Sequence, residues 1–240
     1  MKKEEFVIGV LGGMGTYATI NFFEQYANIF KGEKEWDRPR LIIDNRCTMP
    51  SRVRAYLYNE KKEELIEEMV DSIRNMIQAG GRATHIVLDC NTSHLFLEDI
   101  YKYIPEAKNM IINLIDETVQ YLKKNLVRKI YILGSEGTIE SGIYTHALQN
   151  NGIECIVPNT ADYSKIRKCI EAVKQNKISD ELEVVFRSLI DGHENVLLGC
   201  TELPILYNHF EMFNYNAVIY DPVIIALNTI RNEYLNYKKE

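Results

Sequence analysis

An α/β fold of two pseudo-symmetric lobes, each a mostly parallel sheet flanked by helices with the active site in the cleft between them, is predicted by three features of the 240-residue chain. Apolar runs of strand length alternate with helix-length amphipathic segments, as crossover-connected parallel strands require. A strand-like run entering a glycine turn occurs twice, as Phe6-Val-Ile-Gly-Val-Leu-Gly-Gly-Met-Gly-Thr16 and as Lys129-Ile-Tyr-Ile-Leu-Gly-Ser-Glu-Gly-Thr138. A strand-like run ending in cysteine and then amide or hydroxyl residues also occurs twice, as Ile86-Val-Leu-Asp-Cys90-Asn-Thr92 and Val196-Leu-Leu-Gly-Cys200-Thr-Glu202. Each repeated half thus offers one thiol to a shared cleft. Two thiols on opposite sides of one carbon can serve as proton donor and proton acceptor.

Strands are expected at 6–11, 40–45, 84–90, 109–113, 129–134, 153–157, 195–199 and 217–220. Between them, Leu65, Ile66, Met69, Val70, Ile73, Met76 and Ile77 share one face of a helix over 60–79, which Gly80-Gly81 stops. The run Glu60-Lys-Lys-Glu-Glu64 reads as its solvated face. A further helix is expected from Ser141 to Asn150, with Gly152 beyond its end. Asp221-Pro222 supplies an N-cap and a first-turn proline for a last helix reaching Tyr237. No Pro/Ser-rich linker divides the halves, so the boundary is placed near 114–118. Residues 1–116 with 210–240 are expected to form the first lobe and 117–209 the second, the last strand and helix returning to the first.

A net charge of −6 and a pI near 5.5 argue against nucleic acid as a partner. Glu4 and Glu5 follow Lys2 and Lys3 at once, and the apolar run breaks at Gly12, unlike a signal peptide. No stretch approaches a membrane span. Five scattered cysteines without a C-x-x-C pair fit a cytoplasmic protein with reduced thiols.

The first glycine turn, Gly13-x-Gly15-x-x-Ala18, satisfies a dinucleotide fingerprint in its Ala variant. Against that reading, Asp44 lies about 26 residues beyond Ala18, where about 20 from the glycines are expected. The second turn has lost the spacing and carries Glu136 where a pyrophosphate would sit. Neither has the Gly-Lys-Thr of a triphosphate loop. A carboxylate received at the helix N-terminus is favoured, with a dinucleotide or a ligand-free tight turn as the alternatives.

Cys90 and Cys200 stand at strand C-termini, where open parallel sheets place ligands. One buried cysteine alone reads as a small hydrophobe; two at equivalent places in a repeat do not. Cys155 and Cys169 read as packing residues, and Cys47 lacks a counterpart. The spacings of Cys90 with His94 and of His193 with Cys200 are too loose for a closed zinc site, so no metal is expected. His94 reads instead as a helix-start residue that orients the Cys90 loop.

With these residues in place the chain resembles the cofactor-independent aspartate/glutamate racemase family. The resemblance rests on Ile8-Gly-Val-Leu-Gly-Gly-Met-Gly-Thr16, Met49-Pro50-Ser51-Arg52, Cys90-Asn-Thr-Ser-His94, Ser135-Glu-Gly-Thr138 and Gly199-Cys-Thr-Glu-Leu203, which span nearly the whole chain. It implies catalysis by Cys90 and Cys200 without a cofactor. Met14, Asn91, Thr92, Thr138 and Thr201 would surround the α-carboxylate and ammonium, with Ser93 and Glu202 in the same two motifs. Arg52 and Lys165 would hold a side-chain carboxylate. Ser51 stands where the family usually has Asp, and Asp89 where small or apolar residues are commoner. The implied substrate is a dicarboxylic amino acid, aspartate before glutamate, and the implied assembly a homodimer. A free thiol is only about 3% ionised at neutral pH, so Lys165, Arg52 and helix N-termini are expected to sustain one thiolate. Alternatives are a related dicarboxylate isomerase, such as maleate isomerase, and a non-catalytic amino-acid sensor.

Overall fold

The computed structural model describes residues 5–78, 80, 82–212 and 216–239. Its first half runs β1 (Val7–Gly12), α1 (Thr16–Ile29), β2 (Arg40–Asn45), α2 (Arg52–Tyr58), α3 (Lys62–Ile77), β3 (His85–Leu88), α4 (Leu97–Tyr103) and α5 (Leu114–Lys124). The second half runs β4 (Lys129–Gly134), α6 (Glu136–Glu140), α7 (Ile143–Gln149), β5 (Glu154–Ile156), α8 (Tyr163–Lys174) and α9 (Asp180–Ile190). It closes with β6 (Asn195–Gly199), α10 (Leu203–His209), β7 (Val218–Tyr220) and α11 (Pro222–Tyr237).

Two wholly parallel sheets result, ordered β2-β1-β3 and β5-β4-β6-β7. The glycine-turn strand is central in each, and the cysteine strand lies beside it. Leu11 pairs with Leu88 in one sheet and Gly134 with Gly199 in the other, so the glycine-turn strand and the cysteine strand pair alike in both halves. Val7, Ile8, Val10 and Leu11 are all fully buried, as a strand covered on both faces requires. One face of the first sheet packs Leu65, Met69 and Ile73 of α3, and the other packs Phe22 of α1 with Leu227 and Ile230 of α11.

Four expectations are corrected. The segment 109–113 makes only a single bridge, Ile111 to Ile86, because Asn113 turns the backbone into α5 by accepting the Ile115 N–H at 2.9 Å. The helix expected over 60–79 spans 62–77. Gly80 has φ of +83°, while Ala79 and Gly81 lie outside the described residues. The helix expected from Ser141 starts at Ile143, after Gly142 takes a φ of +65°. The last strand does not return to the first lobe: β7 pairs with β6, Val196 opposite Ile219, and extends the second sheet. Helix α11 then serves both lobes. Val223, Ala226, Leu227, Ile230 and Tyr234 enter the first-sheet core, whereas Ile225 packs with Tyr220 in the second. Among the described residues no helix is long and apolar enough to cross a membrane.

Candidate active site

The glycine turn after β1 brings the lobes into close approach. Gly13 has φ of +77°, and a Cβ there would overlap the Arg46 backbone; a Cβ on Gly15 would overlap the Glu202 carboxylate of the opposite lobe. The carboxylate that lies against this turn is therefore the protein's own.

Cys90 lies two residues beyond the end of β3 and Cys200 directly follows β6, and the charge of Cys90 acts on Cys200. Cys200 Sγ donates to Glu202 Oε2 at 3.0 Å. Burial, followed by the Glu202 charge and that hydrogen bond, pushes the Cys200 thiol well above its ordinary range, and the Lys174 ammonium opposes this. Cys200 thus holds its proton in the substrate-free protein. Burial pulls Lys174 down, but Glu202, Cys200 and Glu171 outweigh it and leave Lys174 raised and charged.

A hydroxyl cluster closes the site across the lobes. Thr92 Oγ1 lies 3.1 Å from Thr138 Oγ1 and 3.2 Å from Ser135 Oγ, and Ser135 Oγ lies 3.0 Å from Thr138 Oγ1. The Tyr144 hydroxyl donates to Asn91 Oδ1 at 2.5 Å, which fixes the amide and leaves Asn91 Nδ2 buried without a partner. Arg52 donates from Nη1 to the Pro50 carbonyl at 2.8 Å and from Nη2 to the Met14 carbonyl at 2.7 Å, while its buried Nε has no partner. Two buried donors without a protein partner mark places for an incoming acceptor. Ser51, the departure from the family pattern, caps α2 by accepting the Arg54 N–H at 3.3 Å.

The residues singled out in the sequence divide clearly. Met14, Asn91, Thr92, Thr138, Thr201 and Glu202 are all buried on the turns that follow the strands. Ser93 is buried but spends its hydroxyl on the Cys90 carbonyl at 2.6 Å. Lys165 is a correction. It pairs with Asp162 at 2.7 Å and is half exposed. Tyr163, Ile166, Arg167, Ile170 and Lys174 share the inward face of α8, and at about 3.6 residues per turn Lys165 points the opposite way. Lys174, Tyr144 and Ser135 complete the site. Ser135 stands in the second glycine-turn motif, and Lys174 had the helical period of Ile166, Ile170 and Val173 that places it on the inward side, whereas Tyr144 had no local signal. Cys155 and Cys169 are held to about 11 by burial, as packing cysteines are. His193 stacks on Tyr131 with ring centroids 3.8 Å apart.

Asp89 sits behind Cys90 at 1% exposure, with neither carboxylate oxygen partnered. Burial first, then the charges of Glu202 and Asp221, push it up to about 8 against a small pull from the Thr19 hydroxyl. It is a neutral acid at pH 7. A cavity of about 460 Å³ opens beside the hydroxyl cluster, walled by Val53 and Leu57 of α2 and by Ile166, Ile170 and Lys174 of α8.

The family model for Asp/Glu/Hydantoin racemases matches residues 11–230. The broad specificity amino-acid racemase RacX of Bacillus subtilis (strain 168) is 24% identical over 240 residues, covering 97% of this chain and 100% of its own. The Picrophilus torridus aspartate racemase structure aligns with a TM-score of 0.81 at 27% identity, covering 97% of this chain and 99% of its own. A glutamate racemase from Francisella tularensis subsp. tularensis SCHU S4, solved with D-glutamate, shares the fold with a TM-score of 0.64 at 17% identity, covering 98% and 82% of the two chains.

Proposed function

This chain belongs to the Asp/Glu/Hydantoin racemase family, and from that footing we propose that it interconverts the enantiomers of a dicarboxylic amino acid, aspartate first and glutamate second, by proton transfer between Cys90 and Cys200 without a cofactor. The observation that carries the proposal is the pair of thiols at equivalent ends of β3 and β6, close enough for the charge of Cys90 to act on Cys200. Cys200 enters the cycle as the thiol, so the thiolate role falls to Cys90. Cys90 removes the Cα proton from one face and Cys200 S–H returns one to the other. Asn91 Nδ2 and the Thr92–Thr138 hydroxyls meet the negative charge that develops on the α-carboxylate. For the opposite enantiomer the roles reverse: Cys200, left as the thiolate by the forward transfer, removes the Cα proton, Cys90 S–H returns one, and Lys174 offsets the Cys200 thiolate.

Arg52 Nε and Lys174 are the donors for a side-chain carboxylate, an assignment that replaces Lys165 with Lys174. Activity on L-aspartate after exhaustive dialysis, unchanged by a carbonyl reagent, is expected. Loss of activity with that reagent would refute the cofactor-free reading, and binding without Cα exchange would select a sensor. Formation of a non-racemic dicarboxylate product would select a related isomerase instead. Light scattering tests the expected homodimer.

The volume of the cavity favours a second reading, in which side chains longer than aspartate's are accepted along Val53, Leu57, Ile166 and Ile170. Higher kcat/KM for a long apolar amino acid than for aspartate would establish it.

A further inference from the structure

His94 is 6% exposed, and both of its ring nitrogens engage the main chain. Nδ1 lies 3.0 Å from the Cys90 carbonyl oxygen, and the Leu114 N–H donates to Nε2 at 3.2 Å. A nitrogen that receives an N–H carries no hydrogen of its own. The ring hydrogen therefore sits on Nδ1 and is donated to Cys90. Burial pulls the imidazole down to about 4 against contacts from Cys90, Asn91 and Ile112, so the ring is neutral in one tautomer.

The two ends of this bridge matter more than the ring. One is the carbonyl of the residue that carries the first thiol, which also accepts the Ser93 hydroxyl. The other opens α5, where the chain passes between lobes. Leu114 packs with Phe6 and Val87 in the first-sheet core, and the next residue, Ile115, packs with Ile130 and Leu197 in the second. Ser93 closes only its own turn, whereas His94 reaches the crossing point.

We propose that His94 is a positioning residue, a rigid neutral strut that fixes Cys90 relative to the lobe carrying Cys200. It holds no proton in transit and touches no substrate. The inference rests on the two-thiol reading, since only there does the separation of the sulfurs set the rate. Misplacing a reacting group by about 1 Å costs on the order of 10²-fold.

Two variants sever the strut at opposite ends. His94→Asn keeps a donor near the Cys90 carbonyl but falls short of Leu114. His94→Gln reaches Leu114 with an acceptor and loses the Cys90 bond. Each is expected to lower kcat about 10- to 100-fold with KM within about twofold and the shape of the pH profile unchanged. Unmodified kcat in either variant, a loss confined to KM, or a vanished limb of the pH profile would overturn the proposal. Side-chain ¹⁵N spectra of the unmodified protein test it independently of variant folding and of racemase activity. A protonated Nδ1 and bare Nε2 throughout the neutral range are expected, and the other tautomer or an imidazolium would overturn it. If the unmodified protein shows that tautomer but does not racemise, the two-thiol reading fails and the strut's catalytic role fails with it.

Discussion

Cys200 and Glu202 form an S–H to carboxylate hydrogen bond of 3.0 Å inside the second lobe, and the same carboxylate packs against Gly15 of the first. One side chain thus meets both the thiol that must gain and lose a proton and the turn that closes the cleft. Glu202→Gln removes the charge that helps hold Cys200 protonated. The Cys200 thiol should then ionise at lower pH, and its alkylation, followed by peptide mapping across a pH series, should begin earlier. An unchanged or later onset would mean that Glu202 does not govern this thiol.

The cation assignment is tested by comparing two lysines on one helix. Lys174→Ala should cost on the order of 1 kcal/mol in kcat/KM for aspartate, the scale for a hydrogen-bonded charge whose side chain is still 35% exposed. Lys165→Ala, on the outward face and paired with Asp162, should leave steady-state kinetics nearly unchanged. The reverse ranking would restore Lys165 to the site.

Tyr144 fixes the Asn91 amide across the lobes. In Tyr144→Phe the amide is free to turn, and its donor no longer waits for the substrate carboxylate. A rise in KM of about fivefold to tenfold is expected, the worth of a hydrogen bond near 1 kcal/mol. Unaltered KM would show that Asn91 needs no such anchor.

Asp89 predicts how stability follows pH. Its folded value of about 8 lies above the ordinary 3.8, so the unfolded chain ionises first as pH rises. The stabilising contribution of the neutral acid is complete below about pH 4. It then falls by about 1.4 kcal/mol per pH unit until the folded group also ionises near pH 8. Asp221, raised to about 6 by burial, adds a decline over the lower part of that window. Asp89→Asn should therefore be more stable than the unmodified protein at pH 8, on the order of 2–5 kcal/mol by urea titration, and should lose most of that advantage at pH 4. Equal stability at both pH values would mean that the carboxyl is not held neutral.

Much of this was legible because the repeat is written in local pattern. Glycine turns and cysteine ends recur at matching strands, and β1 with β3 and β4 with β6 pair as that repetition implies. What escaped depended on chain segments distant in sequence. The three residues of β7 carry nothing to say which sheet they join, and their pairing with β6 is decided by the packing of α11 against both cores. Lys165 and Lys174 differ in role only through the phase of α8, which the apolar period fixes once Ile166 and Ile170 are known to face inward. The Tyr144–Asn91 bond joins residues 53 apart with no local signature. The first glycine turn was expected to receive a carboxylate, and the one against it belongs to Glu202.

The two-thiol mechanism is tested most directly by following deuterium at Cα of each aspartate enantiomer in heavy water with the unmodified protein, Cys90→Ala and Cys200→Ala. The unmodified protein should racemise both enantiomers and place solvent deuterium in the product, while each variant, still folded by circular dichroism, should form no opposite enantiomer. Racemisation by either alanine variant at the unmodified rate would contradict the mechanism.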